Sequence, residues 1–244
     1  MIDVAKTSHP ALADLIAALD WLAVAASLDE RGFAITGALL TPNECAHLAA
    51  RYPDRETFRS RVVMARHGFG QGEYKYFAYP LPEPIATLRT AMYPPLADVA
   101  NRWQDRLNLA SRFPATLDAM IARCHAAGQT RPTPLLLKYG PGDFNCLHQD
   151  LYGEHVFPIQ VTVLLSKPND DFQGGEFALV DQRPRRQSRV HIVPLQQGEA
   201  VLFAVNVRPA LGTRGYYRGV MKHGVAEIRS GERFTAGIIF HDAT

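Results

Sequence analysis

A histidine and an aspartate two residues apart close the segment KYGPGDFNCLHQD, residues 138–150. If this segment ends as a β-strand, His148 and Asp150 point to the same face, because side chains alternate along a strand. An imidazole and a carboxylate on one face are either two metal ligands or a hydrogen-bonded pair. The pair alone does not distinguish a metal site from an ordinary strand.

A third ligand would favour a metal. Four histidines follow the pair, namely His155, His191, His223 and His241. We favour His223, because Arg233 follows it by ten residues and Thr235 would share a strand face with that arginine. A guanidinium beside a hydroxyl suits a carboxylate, which arginine binds through two parallel hydrogen bonds.

Two histidines and one carboxylate form a facial triad that leaves coordination positions open, as in non-haem Fe(II) oxygenases. A zinc hydrolase also uses such ligands, but it needs only a position for water. An arginine that holds a distal carboxylate indicates a co-substrate whose other end chelates the metal. Fe(II) with 2-oxoglutarate fits these residues.

The segment from about 135 to 242 resembles the 2-oxoglutarate/Fe(II) dioxygenases, whose signature is HxD, a distal histidine and a later arginine. VTVLLSKPNDDFQGGEF and PLQQGEAVLF are also similar to that superfamily. The resemblance implies a double-stranded β-helix (jelly-roll) fold and an enzyme that consumes O2 and 2-oxoglutarate, releasing succinate and CO2. It implies iron ligation by His148, Asp150 and His223, and binding of the 2-oxoglutarate C5 carboxylate by Arg233 and Thr235.

The stretch YGPGDFNCLHQD is similar to the AlkB-type nucleic-acid dealkylases, which share Y-x-P-G-x-x-x-x-L-H-Q-D. This likeness implies that Tyr139 also binds 2-oxoglutarate. Leu137 replaces an AlkB-type asparagine, and Tyr152 replaces the acidic residue used in base recognition, so Tyr152 is a candidate substrate contact of another kind. The second arginine that usually follows the position of Arg233 is missing. Base specificity is therefore not transferred.

Residues 58–84, FRSRVVMARHGFGQGEYKYFAYPLPEP, and ANRW (100–103) resemble a bacterial branch of the superfamily proposed to dealkylate damaged nucleic acid. Cations alternate with aromatic residues over 59–77, around three glycines, which is typical of a nucleotide lid on a loop. The candidates are Arg61, Arg66 and Lys75 for phosphates and Phe69, Tyr74 and Tyr76 for bases. The alternative is a hairpin with buried aromatic residues.

Two further basic clusters are candidates for a rim around the active-site mouth that would hold a phosphate backbone. They are QRPRRQSR (182–189) and the set Arg208, Arg214, Arg218 and Lys222. The alternative is that these side chains are solvated and paired with acidic neighbours. Cys146 would share the strand face of His148, and we expect it to be a small buried thiol rather than a residue that borders the metal site. His241 follows the last predicted strand and is expected to be a terminal residue without a role in the site.

The predicted secondary structure changes from mainly helical to mainly β-strand near residue 133. Before it, periodicity and caps predict helices over 11–28, 85–103 and 114–127, a strand over 32–36, and a helix start at Thr41 with a capping box to Glu44. After it, short strands alternate with turns, as in a sandwich or barrel. We predict one α+β domain over 1–244, with a mainly helical part (1–132) packed on a metal-binding jelly-roll core (133–244).

Of the 244 residues, 47% are apolar and 20% are charged, with a net charge of +2. This composition is typical of a soluble globular protein and does not indicate a class of binding partner. Three cysteines without CxxC spacing favour a reducing compartment. No apolar run approaches the roughly 18 residues of a membrane span. A cytoplasmic protein without a membrane partner is expected, and the sequence does not specify its oligomeric state.

These observations predict an Fe(II)- and 2-oxoglutarate-dependent oxygenase, with DNA or RNA as possible partners and oxidative dealkylation of damaged nucleic acid as the reaction. Hydroxylation of a protein side chain or a small molecule is the alternative, since AlkB-type recognition residues are missing. A non-enzymatic binding or sensing module is disfavoured by the complete set of ligand residues.

Overall fold

The computed structural model describes residues 10–183 and 187–244. The helices in these residues are α1 (Pro10–Ala17), α2 (Trp21–Arg31), α3 (Pro42–Ala50), α4 (Ile85–Arg106) and α5 (Leu117–Ala126), with a 3-10 helix over Met64–His67. The strands are β1 (Phe33–Ala38), β2 (Phe58–Val63), β3 (Gly70–Gln71), β4 (Glu73–Phe77), β5 (Leu135–Tyr139), β6 (Phe144–His148), β7 (Ile159–Leu164), β8 (Phe172–Gly174), β9 (Phe177–Gln182), β10 (Arg189–Val193), β11 (Glu199–Ala204), β12 (Val207–Gly212), β13 (Gly215–Val225), β14 (Ile228–Gly231) and β15 (Arg233–Ile238).

Two antiparallel sheets dominate the structure. The larger sheet has the strand order β1-β11-β7-β15-β5-β4-β2, and the smaller one has the order β10-β9-β13-β6-β3 with β12 beside β13. Strand β7 lies inside the larger sheet between β11 and β15, and all of its residues are buried. The result is a mixed α/β structure with a core rich in β-sheet.

The N-terminal helices follow the predicted caps, with one break. Residues 11–28 were predicted as a single helix, but α1 ends at Ala17 and α2 begins at Trp21. Asp20 caps α2, because its carboxylate accepts a hydrogen bond from the Ala23 amide at 2.9 Å. Helix α3 begins as predicted, with a complete capping box between Thr41 and Glu44.

Helix α4 contacts both the other helices and the residues after β15. The Trp103 indole donates to Asp29 Oδ1 of α2 at 2.7 Å. Arg89 is buried, and its Nε donates to the Ile239 carbonyl, directly after β15, at 2.8 Å. None of the helices in the described ranges is both long and apolar enough to cross a membrane.

Residues 59–77 form two paired strands of the larger sheet, joined by a connection that contains the 3-10 helix and β3. Strand β2 pairs with β4, and β4 pairs with β5. Tyr74 and Tyr76 are buried, as are the apolar residues of the core. The glycines lie in the connection between these strands. Gly68 ends the 3-10 helix with a φ of 70°, and Gly70, with a φ of 129°, begins β3, which pairs with β6 of the smaller sheet. The paired strands, with Tyr74 and Tyr76 buried, confirm the hairpin alternative, whereas Arg66 and Phe69 are exposed in the connection between the strands.

Candidate metal centre and co-substrate pocket

His148, Asp150 and His223 meet where strands β6 and β13 pair. His223 lies opposite His148 in the register, and the two ring centroids are 4.1 Å apart. Asp150 follows β6, with Oδ1 3.5 Å from His148 Nε2 and Oδ2 3.4 Å from His223 Nε2. One ligand atom from each residue lies within 4.8 Å of the others. The structure thus brings together the three residues predicted to bind iron.

A β-bulge in β6 decides which of its side chains face this cluster. His148 is opposite His223 while Asn145 is opposite Val225, so one additional residue stands on the β6 side. The bulge interrupts the alternation, so that Asn145 and His148 line the same cavity. Cys146 is exposed. The prediction of a small buried thiol is therefore wrong, because it assumed uninterrupted alternation.

The electrostatics of the cluster suit a cation. Burial alone would raise the pKa of Asp150, but hydrogen bonds from the two histidines hold that pKa well below its usual range. Burial, together with the neighbouring His148, lowers the pKa of His223. Burial alone would also lower the pKa of His148, but the hydrogen bond and charge of Asp150 raise it, so a metal ion would displace a proton there. A carboxylate and a neutral imidazole are the forms that bind metal ions. A donor set of two histidines and one carboxylate fits Fe(II).

Arg233 stands on the larger sheet and faces the same cavity. Its side chain is 2% exposed, and its Nε and Nη1 have no hydrogen-bond partner among the described residues. The rings of Tyr139 and Phe172 each lie 5.7 Å from its Cζ. Burial lowers the pKa of Arg233 to about 10. A buried guanidinium without a partner is unfavourable, so this position fits an anionic ligand such as the distal carboxylate of 2-oxoglutarate.

Thr235 and Tyr139 complete the wall around Arg233. Thr235 is two residues along β15 and is buried, and Tyr139 lies opposite Arg233 in the pairing of β15 with β5. The Asn145 amide donates to the Tyr139 hydroxyl at 3.5 Å. These side chains and the His–Asp–His cluster line one cavity of about 170 Å³. The sequence analysis did not identify Asn145, because its side chain faces the cavity only as a result of the bulge in β6.

Tyr152 also lines this cavity. Its hydroxyl donates to Asp150 Oδ1 at 2.6 Å. Burial and the charge of Asp150 raise the pKa of Tyr152, so its phenol stays protonated and remains a donor. Tyr74 lines the cavity as well, whereas Tyr76 lies behind Tyr152 with ring centroids 6.4 Å apart in an edge-to-face arrangement.

Two of the three cations predicted to contact phosphates, Arg61 and Lys75, lie on the face of the larger sheet that is turned away from the cavity. Arg61 is opposite Lys75 in the β2–β4 register, whereas Val62 is opposite Tyr74, so Arg61 and Lys75 lie on the sheet face away from Tyr74 and the cavity. Arg61 forms an ion pair with Glu73. Lys75 Nζ donates to the Tyr52 carbonyl at 2.6 Å.

Arg66 differs from these two cations. It is exposed in the 3-10 helix, three residues before Phe69, which lines the cavity. A phosphate at the cavity mouth is thus compatible with Arg66 and not with Arg61 or Lys75.

Only some residues of the predicted basic rim lie on the protein surface. Arg208 is buried, with its Nη2 3.3 Å from Asp181 Oδ2, whereas Arg214 and Arg218 are exposed. Residues 184–186 of the QRPRRQSR cluster lie outside the described residues.

His241 was expected to be a terminal residue without a role in the site. It is fully buried, and its Nδ1 accepts a hydrogen bond from the Phe157 amide at 3.2 Å, so the expectation of a peripheral terminal position is wrong.

Solved structures share this fold at low sequence identity. A 2OG-Fe(II) oxygenase-family oxidoreductase from Burkholderia pseudomallei is 14% identical with a TM-score of 0.55, over 93% of this chain and 94% of that chain. A Pseudomonas putida prolyl-4-hydroxylase is 16% identical with a TM-score of 0.52, over 92% and 99%. Taken with the His–Asp–His cluster and the family match below, they define the class: the protein is a 2-oxoglutarate- and Fe(II)-dependent oxygenase.

The particular family follows from the sequence itself. A family model described as "Oxygenase, catalysing oxidative methylation of damaged DNA" matches residues 72–243. The chain belongs to this family, Oxygenase-NA. An uncharacterized Mycobacterium tuberculosis protein, Rv2227, is 50% identical over 167 residues, which cover 68% of this chain and 72% of that protein.

Proposed function

We propose that this oxygenase removes alkyl groups oxidatively from the bases of damaged nucleic acid. The family description supports a nucleic-acid substrate. The structural observation that carries the proposal is Phe69, an aromatic side chain that is 46% exposed and yet lines the cavity of the candidate metal cluster. Aromatic faces exposed beside a reactive centre are suited to stacking with an unpaired base.

Phe69 is held in place by contacts with its neighbours, the first of which is His67. The two rings are stacked, with centroids 5.3 Å apart and an interplanar angle of 22°. The Phe69 carbonyl accepts from the Cys146 amide at 2.8 Å, two residues before His148. A Cβ on Gly70 would lie 2.3 Å from the Phe144 carbonyl oxygen, so only glycine allows this close approach.

The residues around the cavity have separate parts in the reaction. We infer that His148, Asp150 and His223 bind Fe(II), and that Arg233, Thr235 and Tyr139 bind 2-oxoglutarate. When bound, Fe(II) and 2-oxoglutarate supply the oxidising chemistry, in which O2 is consumed, 2-oxoglutarate becomes succinate and CO2, and a substrate C–H becomes C–OH. An N-methyl group oxidised in this way becomes N–CH2OH, which collapses to N–H and formaldehyde.

The protein contributes orientation and exclusion of water. Arg233 and Thr235 fix one end of the co-substrate, so that its opposite end is directed towards the cluster. Leu137, Phe177 and Val225 supply apolar walls to the same cavity. An apolar lining disfavours bulk water beside the reacting C–H bond.

Two finer structural inferences accompany the proposal. Arg233 of the larger sheet and His223 of the smaller sheet line one cavity, which supports the two sheets as the faces of a double-stranded β-helix. Buried side chains from α2 and α4 share a hydrophobic cluster with β7, for example Leu28, Leu96 and Val161, which supports helices packed on that core in a single domain over 1–244. A cytoplasmic location stays a prediction.

Succinate and formaldehyde release tests the proposed substrate class. We expect both products in equal amounts with a methylated oligonucleotide from a panel that also contains peptides and metabolites. An unmethylated oligonucleotide and the Asp150→Asn variant serve as controls and should give no formaldehyde. Phe69→Ala should weaken oligonucleotide binding by about 1–3 kcal/mol. Coupled turnover confined to peptides or metabolites would contradict the proposal and favour the hydroxylase alternative.

A further inference from the structure

We propose that Tyr152 is a positioning residue for the metal site, because its hydroxyl holds Asp150 in the orientation that presents one carboxylate oxygen to a metal ion. The inference rests on the proposed role of Asp150 as a ligand. It concerns the support of that ligand and is independent of which substrate the enzyme oxidises.

The two oxygens of Asp150 have different surroundings. Each oxygen lies near one histidine, and Oδ1, 3.5 Å from His148 Nε2, also accepts the hydrogen bond from the Tyr152 hydroxyl at 2.6 Å. Oδ2 lies 3.4 Å from His223 Nε2, the ring nitrogen that faces the cluster. A donor on Oδ1 occupies that oxygen and fixes the rotation of the carboxylate, which leaves Oδ2 as the oxygen available to a cation. Hydrogen bonds of this kind orient metal ligands and raise metal affinity.

The backbone of Tyr152 is anchored by one buried side chain. Gln129 is fully buried, and its Nε2 donates to the Asp242 carbonyl at 2.6 Å and shares its second hydrogen between the carbonyls of Tyr152 and His155, both at 3.2 Å. Its Oε1 accepts from the His155 amide at 2.8 Å. Gly153 lies so close that a Cβ there would be 2.4 Å from the Gln129 side chain. The loop that carries Tyr152 is therefore fixed against the end of α5.

The ring of Tyr152 is held by a second tyrosine. Tyr76 of β4 meets it edge to face, with an interplanar angle of 89°. Tyr76 is itself buried in the larger sheet, and the Arg59 guanidinium lies over its ring, 4.5 Å from the ring centroid. Backbone and ring are both fixed, so the hydroxyl is pre-organised to donate to Asp150 and does not depend on substrate for its position.

Tyr152→Phe tests this inference, since it keeps the ring and removes only the hydroxyl. The measurement is the affinity of the full-length protein for Mn(II) and Co(II), without 2-oxoglutarate or substrate, together with the visible absorption spectrum of the Co(II) form. We expect affinity to fall by about 10- to 100-fold, and the Co(II) spectrum to change as the carboxylate reorients. Tyr93→Phe is the matched control, because Tyr93 is a buried tyrosine outside the cavity whose hydroxyl donates to the Pro114 carbonyl at 3.0 Å. It should leave both readouts unchanged.

The outcomes separate the inference from the metal assignment. Unchanged affinity and spectrum in Tyr152→Phe would overturn the positioning role, and so would an equal loss in Tyr93→Phe. A wild-type protein that binds neither metal would overturn the assignment of Asp150 as a ligand, and the inference with it. A melting temperature for each metal-free variant shows that a lost affinity is not a lost fold.

Discussion

Arg233 lies directly opposite Tyr139 in the pairing of β15 with β5, and both side chains face the cavity of the His–Asp–His cluster. The cluster itself stands on β6, β13 and the residues after β6, which belong to the other sheet. Binding of an acid at Arg233 and binding of a metal at the cluster thus depend on different strands. The two affinities should be separable by substitution.

Replacement of Arg233 by leucine should weaken 2-oxoglutarate binding by about 2–5 kcal/mol, because a buried carboxylate would lose its charged partner. Metal binding should survive. Calorimetric titration of the Mn(II)-loaded protein with 2-oxoglutarate measures the change. The control is Arg229→Leu, which removes an exposed guanidinium paired with Glu176 at 3.5 Å and should have no effect. An unaltered dependence on 2-oxoglutarate in Arg233→Leu would remove Arg233 from the pocket.

Charge reversal at Arg66 and at Arg61 should give different results, although both side chains are exposed cations of one hairpin region. Arg66→Glu should weaken oligonucleotide binding and reduce the slope of log affinity against log salt by about one unit, the loss of one phosphate contact. Arg61→Glu should leave the slope unchanged, because Arg61 stands on the sheet face away from the cavity. Equal effects would contradict the separation of the two faces, and no salt dependence in the wild-type protein would argue against nucleic acid.

Asp242→Ala should destabilise the protein strongly. Asp242 Oδ1 pairs with Arg89 Nη2 at 2.8 Å, and both side chains are almost fully buried. Removal of the carboxylate leaves an uncompensated buried cation, at a cost of about 3–5 kcal/mol. Urea unfolding with an unchanged m-value measures the loss. Asp170→Ala breaks the exposed pair with Lys167 and should be nearly neutral, so similar losses in both variants would contradict the argument.

The predicted site residues share a property that is visible in a sequence. His148 with Asp150 and Arg233 with Thr235 are spaced by two, so they could be assigned to common faces before any partner strand was known. Asn145 could not be found in this way. The bulge that turns it towards the cavity arises from the pairing of β6 with β13, a strand that is distant in sequence.

The hairpin over 59–77 was only the alternative prediction, because three glycines were taken as a sign of a loop. Gly68 ends the 3-10 helix between the paired strands, and Gly70 begins β3. A period of two was nevertheless present in EYKYF, where Tyr74 and Tyr76 are buried and Lys75 is not. Gln129 had no signal at all, because its partners are backbone carbonyls and an amide that only the folded chain brings to it.

The division of the site between two sheets also bears on how ligands change the stability of the folded chain. A metal chelated by 2-oxoglutarate would join His223 of one sheet to Arg233 of the other, and so would brace the two sheets against separation. A ligand that binds only the native state at a free concentration 100-fold above its Kd adds about 2.7 kcal/mol to the unfolding free energy. The thermal stability of this oxygenase should therefore rise and fall with the supply of its own co-substrate.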